Sequence, residues 1–219
     1  MPRQQATTRD AFFPFTRGLV LAADPRLTPF VSARPGLVRL YAEATTSVWA
    51  MDHVVTMPEV RDLATARPRP PRGGVDDLRL VVHPQGLSRC RMASSVLPSV
   101  HSGPATHHLV VVDGRRAVLR DAVGDAWWVT TDPGIVGRAV QEFEAVWAAS
   151  QPVLRAGEPP PFTERMVEVA SLLLQGATDR QVARELRVSE RTVSAEVREI
   201  ARRLGATGRT HAIALLSAP

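Results

Sequence analysis

Three arginines, Arg191, Arg198 and Arg202, have the type and spacing to do recognisable chemistry. They lie in the stretch SERTVSAEVREIARRLG, from Ser189 to Gly205. At about 100° per residue, Arg191, Ala195, Arg198 and Arg202 fall on one face of a helix. Val193, Val197, Ile200 and Leu204 fall on the opposite face, which is expected to be buried. A row of guanidiniums on an open helix face suits phosphate anions. The guanidinium fork also matches the two acceptors on the major-groove edge of guanine. Carboxylates oppose that chemistry, and the stretch contains Glu190, Glu196 and Glu199. Glu190 sits in the first turn, where the helix dipole favours a carboxylate. Glu196 falls beside the buried face. Only Glu199 borders the arginine row, where it can pair with Arg202 or Arg203 one turn on.

The elements around this stretch are well punctuated. Thr163 is a good N-cap, and Val167, Ala170, Leu173 and Leu174 make an apolar stripe that ends at Gly176. Thr178-Asp179-Arg180-Gln181 fits a capping box and opens a second helix through Val182, Ala183 and Leu186. Arg187-Val188 is a tight joint. Ser189 caps the third helix, Val188 and Val193 are spaced for a hydrophobic staple, and Gly205 ends it. A short fourth helix is expected around Thr210 to Leu216. Two helices across a three- or four-residue turn, the second opened by a polar cap, are the helix-turn-helix signature.

Residues 162–216 resemble the LuxR/NarL-type helix-turn-helix domain. The matching pieces are Phe162-Thr163, Gly176, the DRQVARELRVSERTV core, Leu204-Gly205, Arg209-Thr210 and Ala212. Ser194 stands where that family commonly has lysine, and Glu196 where it often has histidine. The resemblance implies a four-helix module whose third helix enters the major groove, and dimerisation often through the fourth helix. Arg180, Arg191, Thr192, Ser194, Ala195, Arg198, Arg202 and Arg209 are the expected DNA-contacting residues. Arg198 is expected at a base edge and Ala195 near a thymine methyl, with Arg191 and Arg202 on phosphates, which position without specifying. A homodimer is expected because Ile213, Leu215 and Leu216 exceed what a short helix buries alone.

Upstream, the pattern mixes strands and helices. GLVRLYAEATTS has helical spacing, whereas SVWAMD and DLRLVVH read as strands. In HHLVVVDGRRAVL, Asp113-Gly114 is a hairpin turn between two apolar runs. AWWVTTDPG offers another strand. Val136, Val140, Phe143 and Trp147 then mark an amphipathic helix. The histidines invite an enzyme reading. The segment 37–149, chiefly VVVDGRRAVL and FEAVWAAS, resembles a degenerate phospholipase D-like sensor domain of the kind coupled to LuxR-type domains in actinobacterial regulators. In the enzymes, a His-x-Lys pair is followed, after four intervening residues, by Asp. Here His107 is followed by Leu109 in the lysine slot, and Asp113 comes one residue early. Without lysine, a phosphodiester loses its positive clamp. The expectation is therefore no enzyme, no catalytic residue, no cofactor and no metal. His107 and His108 read as polar residues at a strand start, His53, His83 and His101 lack metal-ligand spacing, and Trp127, Trp128 and Trp147 read as core.

Composition sets wider bounds. The 219 residues have a net charge of +5 and contain no lysine, so all 27 basic residues are arginine. That balance permits an anionic partner without requiring one. Cys90 is the only cysteine, which excludes an internal disulfide and a thiolate metal cluster. The N-terminus lacks a signal-peptide core, and no apolar run approaches the roughly 18 residues that span a bilayer. A cytoplasmic protein with no membrane partner is expected. The fold class is α+β: an irregular arm over 1–35, a mixed α/β regulatory domain over 36–150, a Pro-rich linker over 151–161, and an all-α four-helix domain over 162–219. The expected function is a DNA-binding transcription regulator acting on promoter or operator DNA, with RNA polymerase as a possible further partner and a small-molecule effector left open. The alternatives are a phosphodiesterase-like enzyme tethered to DNA, and a polymerase- or sigma-docking protein.

Overall fold

The computed structural model describes residues 24–30, 33–66, 75–120 and 126–217. In chain order these form β1 (Thr28–Pro29), α1 (Ala33–Glu43), β2 (Ser47–Asp52), α2 (Met57–Ala64), β3 (Asp77–Val82), α3 (Pro84–Arg89), α4 (Ala93–Val96), β4 (Val100–Ser102), β5 (Leu109–Val112), β6 (Arg116–Arg120), β7 (Trp127–Thr130), α5 (Pro133–Ala148) and β8 (Gln151–Pro152). Four helices follow: α6 (Glu164–Leu174), α7 (Asp179–Leu186), α8 (Glu190–Leu204) and α9 (Arg209–Ser217). The class is α+β, as the sequence pattern implied.

The strands make one mixed sheet in the order β1-β7-β6-β5-β2-β3-β4-β8. β2, β3 and β4 run parallel because helices carry the chain between them, whereas the tight loop after Val112 leaves β5 and β6 antiparallel. Alternation sorts the side chains onto two faces. Val48, Ala50, Leu80, Val82, Val110, Val112 and Val118 face α1, α2 and α4. Met51, Val81, Leu109, Val111, Ala117 and Leu119 face α5 through Ile135, Ala139 and Phe143. The strands at the centre are covered on both sides, and β5 is buried at every residue.

The hairpin forms where Asp113-Gly114 predicted it. Asp113 and Gly114 both take left-handed backbone, with φ of 54° and 60°. The Asp113 carboxylate reaches across to the start of β2. It accepts the Thr46 N–H at 2.7 Å, the Ser47 N–H at 3.0 Å, the Thr45 N–H at 3.1 Å, and both threonine hydroxyls. Partial burial alone would raise its pKa. The backbone donors of Ser47 and Thr46 outweigh that and hold the carboxyl well below the usual range.

The structure moves some expected edges. Gln151 and Pro152, at the start of the expected linker, pair with β4 at the sheet edge, where a proline costs no ladder bond. Thr28 and Pro29, inside the expected arm, close the other edge against β7. Residues 1–23, most of the expected arm, lie outside the described residues, as do residues 67–74 of the regulatory domain. Trp127, Trp128 and Trp147 are half-buried rather than core, because each lies beside the sheet's covered centre.

The helical unit packs directly on this body. Phe162 and α6 meet α4, and the Phe162 N–H donates to Ser95 Oγ at 3.0 Å. Arg91, before α4, donates to the Leu204 carbonyl at the end of α8 at 2.9 Å. That contact places a cation where a helix C-terminus favours it. Among the described residues no helix is long and apolar enough to cross a membrane.

Candidate nucleic-acid interface

The expected caps set the directions of the helices. The Thr178 and Gln181 side chains form a reciprocal capping box at the start of α7. Arg187 ends α7 in the left-handed region at φ 54°. The chain turns there, and the Val188 N–H returns to the Ala183 carbonyl at 2.9 Å. Left-handed backbone costs a non-glycine residue about 1–2 kcal/mol, which the packing on both sides of the turn must offset. Ser189 Oγ then accepts the Thr192 N–H at 3.1 Å and opens α8. Gly205, at φ 67°, closes α8 where a Cβ would be strained.

The two faces of α8 separate as the rotation requires. Val193, Val197, Ile200 and Leu204 are buried at 0%, 7%, 1% and 2% exposure. Arg191, Ala195, Arg198 and Arg202 are all exposed, and so is Arg180 at the start of α7. Among the described residues nothing else covers that side of α8, so an open face of three arginines and one small residue is available to a flat or grooved anion.

The glutamates fall where the sequence placed them. Glu196 turns back to Arg165 on α6 at 2.7 Å. Glu199 accepts two bonds from Arg202, at 2.7 and 2.5 Å, and one from Arg203 at 2.7 Å. Those bonds, from Arg202 first and Arg203 second, lower the Glu199 pKa to about 2, so it stays charged. Arg202 is therefore an exposed cation already shared with a carboxylate, whereas among the described residues Arg191 and Arg198 have no such partner.

Other expected contact residues serve the inside of the domain. Ser194 Oγ donates to Asp179 Oδ2 at 3.2 Å, and Arg209 ion-pairs with Asp179 Oδ1. Arg209 also reaches the Ala177 carbonyl at 3.3 Å. Asp179, the first residue of α7, thus ties α8 and α9 to α7. No local pattern signals this clamp, since its members lie 15 and 30 residues apart. Thr192 shares its hydroxyl with Ser189 at 2.8 Å. On α9, Leu216 is buried, while Ile213 and Leu215 are half-buried. The apolar excess expected there for a dimer is smaller than the sequence suggested, because the helix folds back on the domain core.

The histidines of the upstream motif diverge. His107 faces α5, with Nε2 at 3.4 Å from Glu142 Oε1. His108 faces the opposite side of the sheet, with Nδ1 at 2.5 Å from Asp52 Oδ2 and its ring edge-on to Trp127. Asp113 is held at the hairpin by Thr45 to Ser47, away from both. Burial pushes the His107 pKa down to about 4 and the Glu142 pKa up to about 7. The two have opposite linkage. The Glu142 contribution is full below its unfolded pKa near 4.5 and is lost as pH rises through 7. The His107 contribution is full above 6.5 and is lost as pH falls through 4. Between pH 4.5 and 6.5 they offset one another. In Glu142→Gln only the histidine slope remains. The melting temperature of the variant, relative to wild type, is expected to rise by roughly 5–10 °C over that window, two pH units of one-proton linkage at about 1.4 kcal/mol each. A flat or falling difference in calorimetric scans at several pH values would mean that burial does not raise the Glu142 pKa.

Residues 160–216 match the family of bacterial regulatory proteins, luxR family, also called GerE. This region is a LuxR-family helix-turn-helix domain, and the match supports a DNA-binding transcription regulator. Solved structures also resemble parts of the chain. A phospholipase D family member, Nuc from Salmonella typhimurium, is 17% identical with a TM-score of 0.46, over 59% of this chain and 95% of that one. NucT from Helicobacter pylori is 10% identical with a TM-score of 0.45, over 57% and 96%. A ligand–DNA complex of VqmA from Vibrio cholera is 20% identical with a TM-score of 0.25, over 50% and 47%. A search of curated proteins finds no match. The likeness to phospholipase D family structures overturns the expectation, drawn from the missing lysine, that the chain is no enzyme. It is a likeness of fold and assigns no reaction.

Proposed function

We propose that the chain is a cytoplasmic transcription regulator that lays α8 in the major groove of its operator and binds as a homodimer over two half-sites. Arg198 reads a base edge, Ala195 leaves room beside it for a thymine methyl, and Arg180, Arg191 and Arg202 meet phosphates. Ser194 and Arg209 support the interface through Asp179. Ile213 and Leu215 are the apolar surface of α9 left for a partner. The observation that carries the reading is the exposed Arg191, Ala195, Arg198 and Arg202 face on a helix whose other face is fully packed. Selection of bound duplexes from a random pool tests it: one enriched motif with two spaced halves supports the reading, and no enrichment defeats it.

Glu199 restrains this surface by holding Arg202. In Glu199→Gln the guanidinium is released and one negative charge is removed. Binding to cognate and random duplex is expected to tighten alike, and the salt slope to steepen by about one. Titrations at several salt concentrations measure both, and an unchanged slope would mean that Arg202 stays clear of phosphate.

A further inference from the structure

We propose that the cavity between α1, α2 and the sheet is a binding site for a small uncharged ring compound carrying a hydroxyl group. The cavity holds about 280 Å³. That is just under the roughly 300–1,000 Å³ of drug-sized sites and suits one or two fused rings. Its body is apolar, formed by Leu37, Val60, Leu63 and Leu80. Tyr41 and Trp127 add two aromatic walls, against which a planar ligand stacks or meets edge-on.

The polar wall decides the ligand's head group. It brings three carboxylates, Asp52, Glu59 and Asp62, against two guanidiniums, Arg34 and Arg120. Asp62 holds Arg34 through Nε at 2.5 Å. Arg120 lies over the Trp127 ring at 5.6 Å. Asp52 Oδ2 takes His108, and its Oδ1 takes the Val54 N–H at 3.2 Å. Glu59 Oε2 takes the Thr56 N–H and hydroxyl. Among the described residues the carboxylates use only some of their lone pairs in these bonds, and three carboxylates face two guanidiniums, so the wall offers acceptors and an excess of negative charge. A ligand hydroxyl donates to such a wall. A ligand carboxylate is repelled and must also lose its hydration, and an ammonium entering an apolar cavity loses more hydration than a hydroxyl does.

Calorimetric titration of the full chain with three probes tests the site. 2-Naphthol is expected to bind saturably at one site per chain, with naphthalene weaker for want of a donor. 2-Naphthoate should be weaker than 2-naphthol by roughly tenfold or more. Leu37→Trp fills the cavity and should abolish 2-naphthol binding. Asp52→Asn removes one negative charge from the wall and should narrow the gap between 2-naphthol and 2-naphthoate. Should Leu37→Trp fail to fold, the Asp52→Asn ratio decides. The proposal is overturned by no saturable 2-naphthol binding, by 2-naphthoate binding as well as 2-naphthol, or by binding that persists in folded Leu37→Trp. None of these readouts involves DNA, so the site and the operator reading stand or fall separately.

Discussion

Arg198→Ala is expected to leave the protein folded and to cost it most of its preference at one base pair. Arg198 is exposed midway along α8, one turn past Ala195, and its removal leaves the buried face intact. A bidentate arginine–guanine contact discriminates by about 1–3 kcal/mol, so cognate affinity should fall roughly five- to 150-fold. Random duplex should lose far less, since only one phosphate-range charge is gone. Arg202→Ala is the contrast. Because Glu199 already shares that guanidinium, its loss should weaken cognate and random DNA equally and modestly. The measurement is the ratio of cognate to random affinity at fixed salt. A ratio unchanged in Arg198→Ala would put the reading face elsewhere on α8.

Asp113→Asn should destabilise the sheet body, although Asp113 sits at a hairpin tip. Asparagine tolerates the φ of 54°, so backbone strain is not added. The substitution replaces a charged acceptor of three N–H groups and two hydroxyls by one amide oxygen. Hydrogen bonds to a charged group contribute about 1.5–3 kcal/mol each when buried. Asp113 is only partly buried, so a total loss of about 1–3 kcal/mol is expected. The pH dependence has a fixed sign. The folded pKa is depressed, so the stabilisation is present above the unfolded pKa near 4 and fades as pH falls below it. Urea unfolding at pH 7 and at pH 3 should therefore show wild type and variant far apart at the first and closer at the second. An equal gap at both pH values would mean that the carboxylate charge is not what anchors the hairpin.

Much of the helical domain is legible in the sequence. The caps at Thr163, Thr178 and Ser189, the left-handed Gly205, and the two faces of α8 all follow from interactions within four residues of chain. The Asp113-Gly114 hairpin does as well. What spacing did not show is where the two histidines before β5 go: His107 meets Glu142 on α5, whereas His108 meets Asp52 and Trp127 on the other side of the sheet.

Local spacing by itself determined that the C-terminal helices form a helix-turn-helix with an arginine face, because helical periodicity and capping are short-range. It also determined the α+β class, through runs that alternate with period two before they change to period 3.6. Only the tertiary structure decided that Asp179 gathers Ser194 and Arg209 inside the domain, that Arg91 closes the end of α8, and that β1 and β8 seal the sheet edges. It alone placed three carboxylates and two aromatic rings around one cavity. Those groups come from separate elements of the chain, and their meeting depends on how helices and strands pack on one another, which spacing within a few residues does not decide.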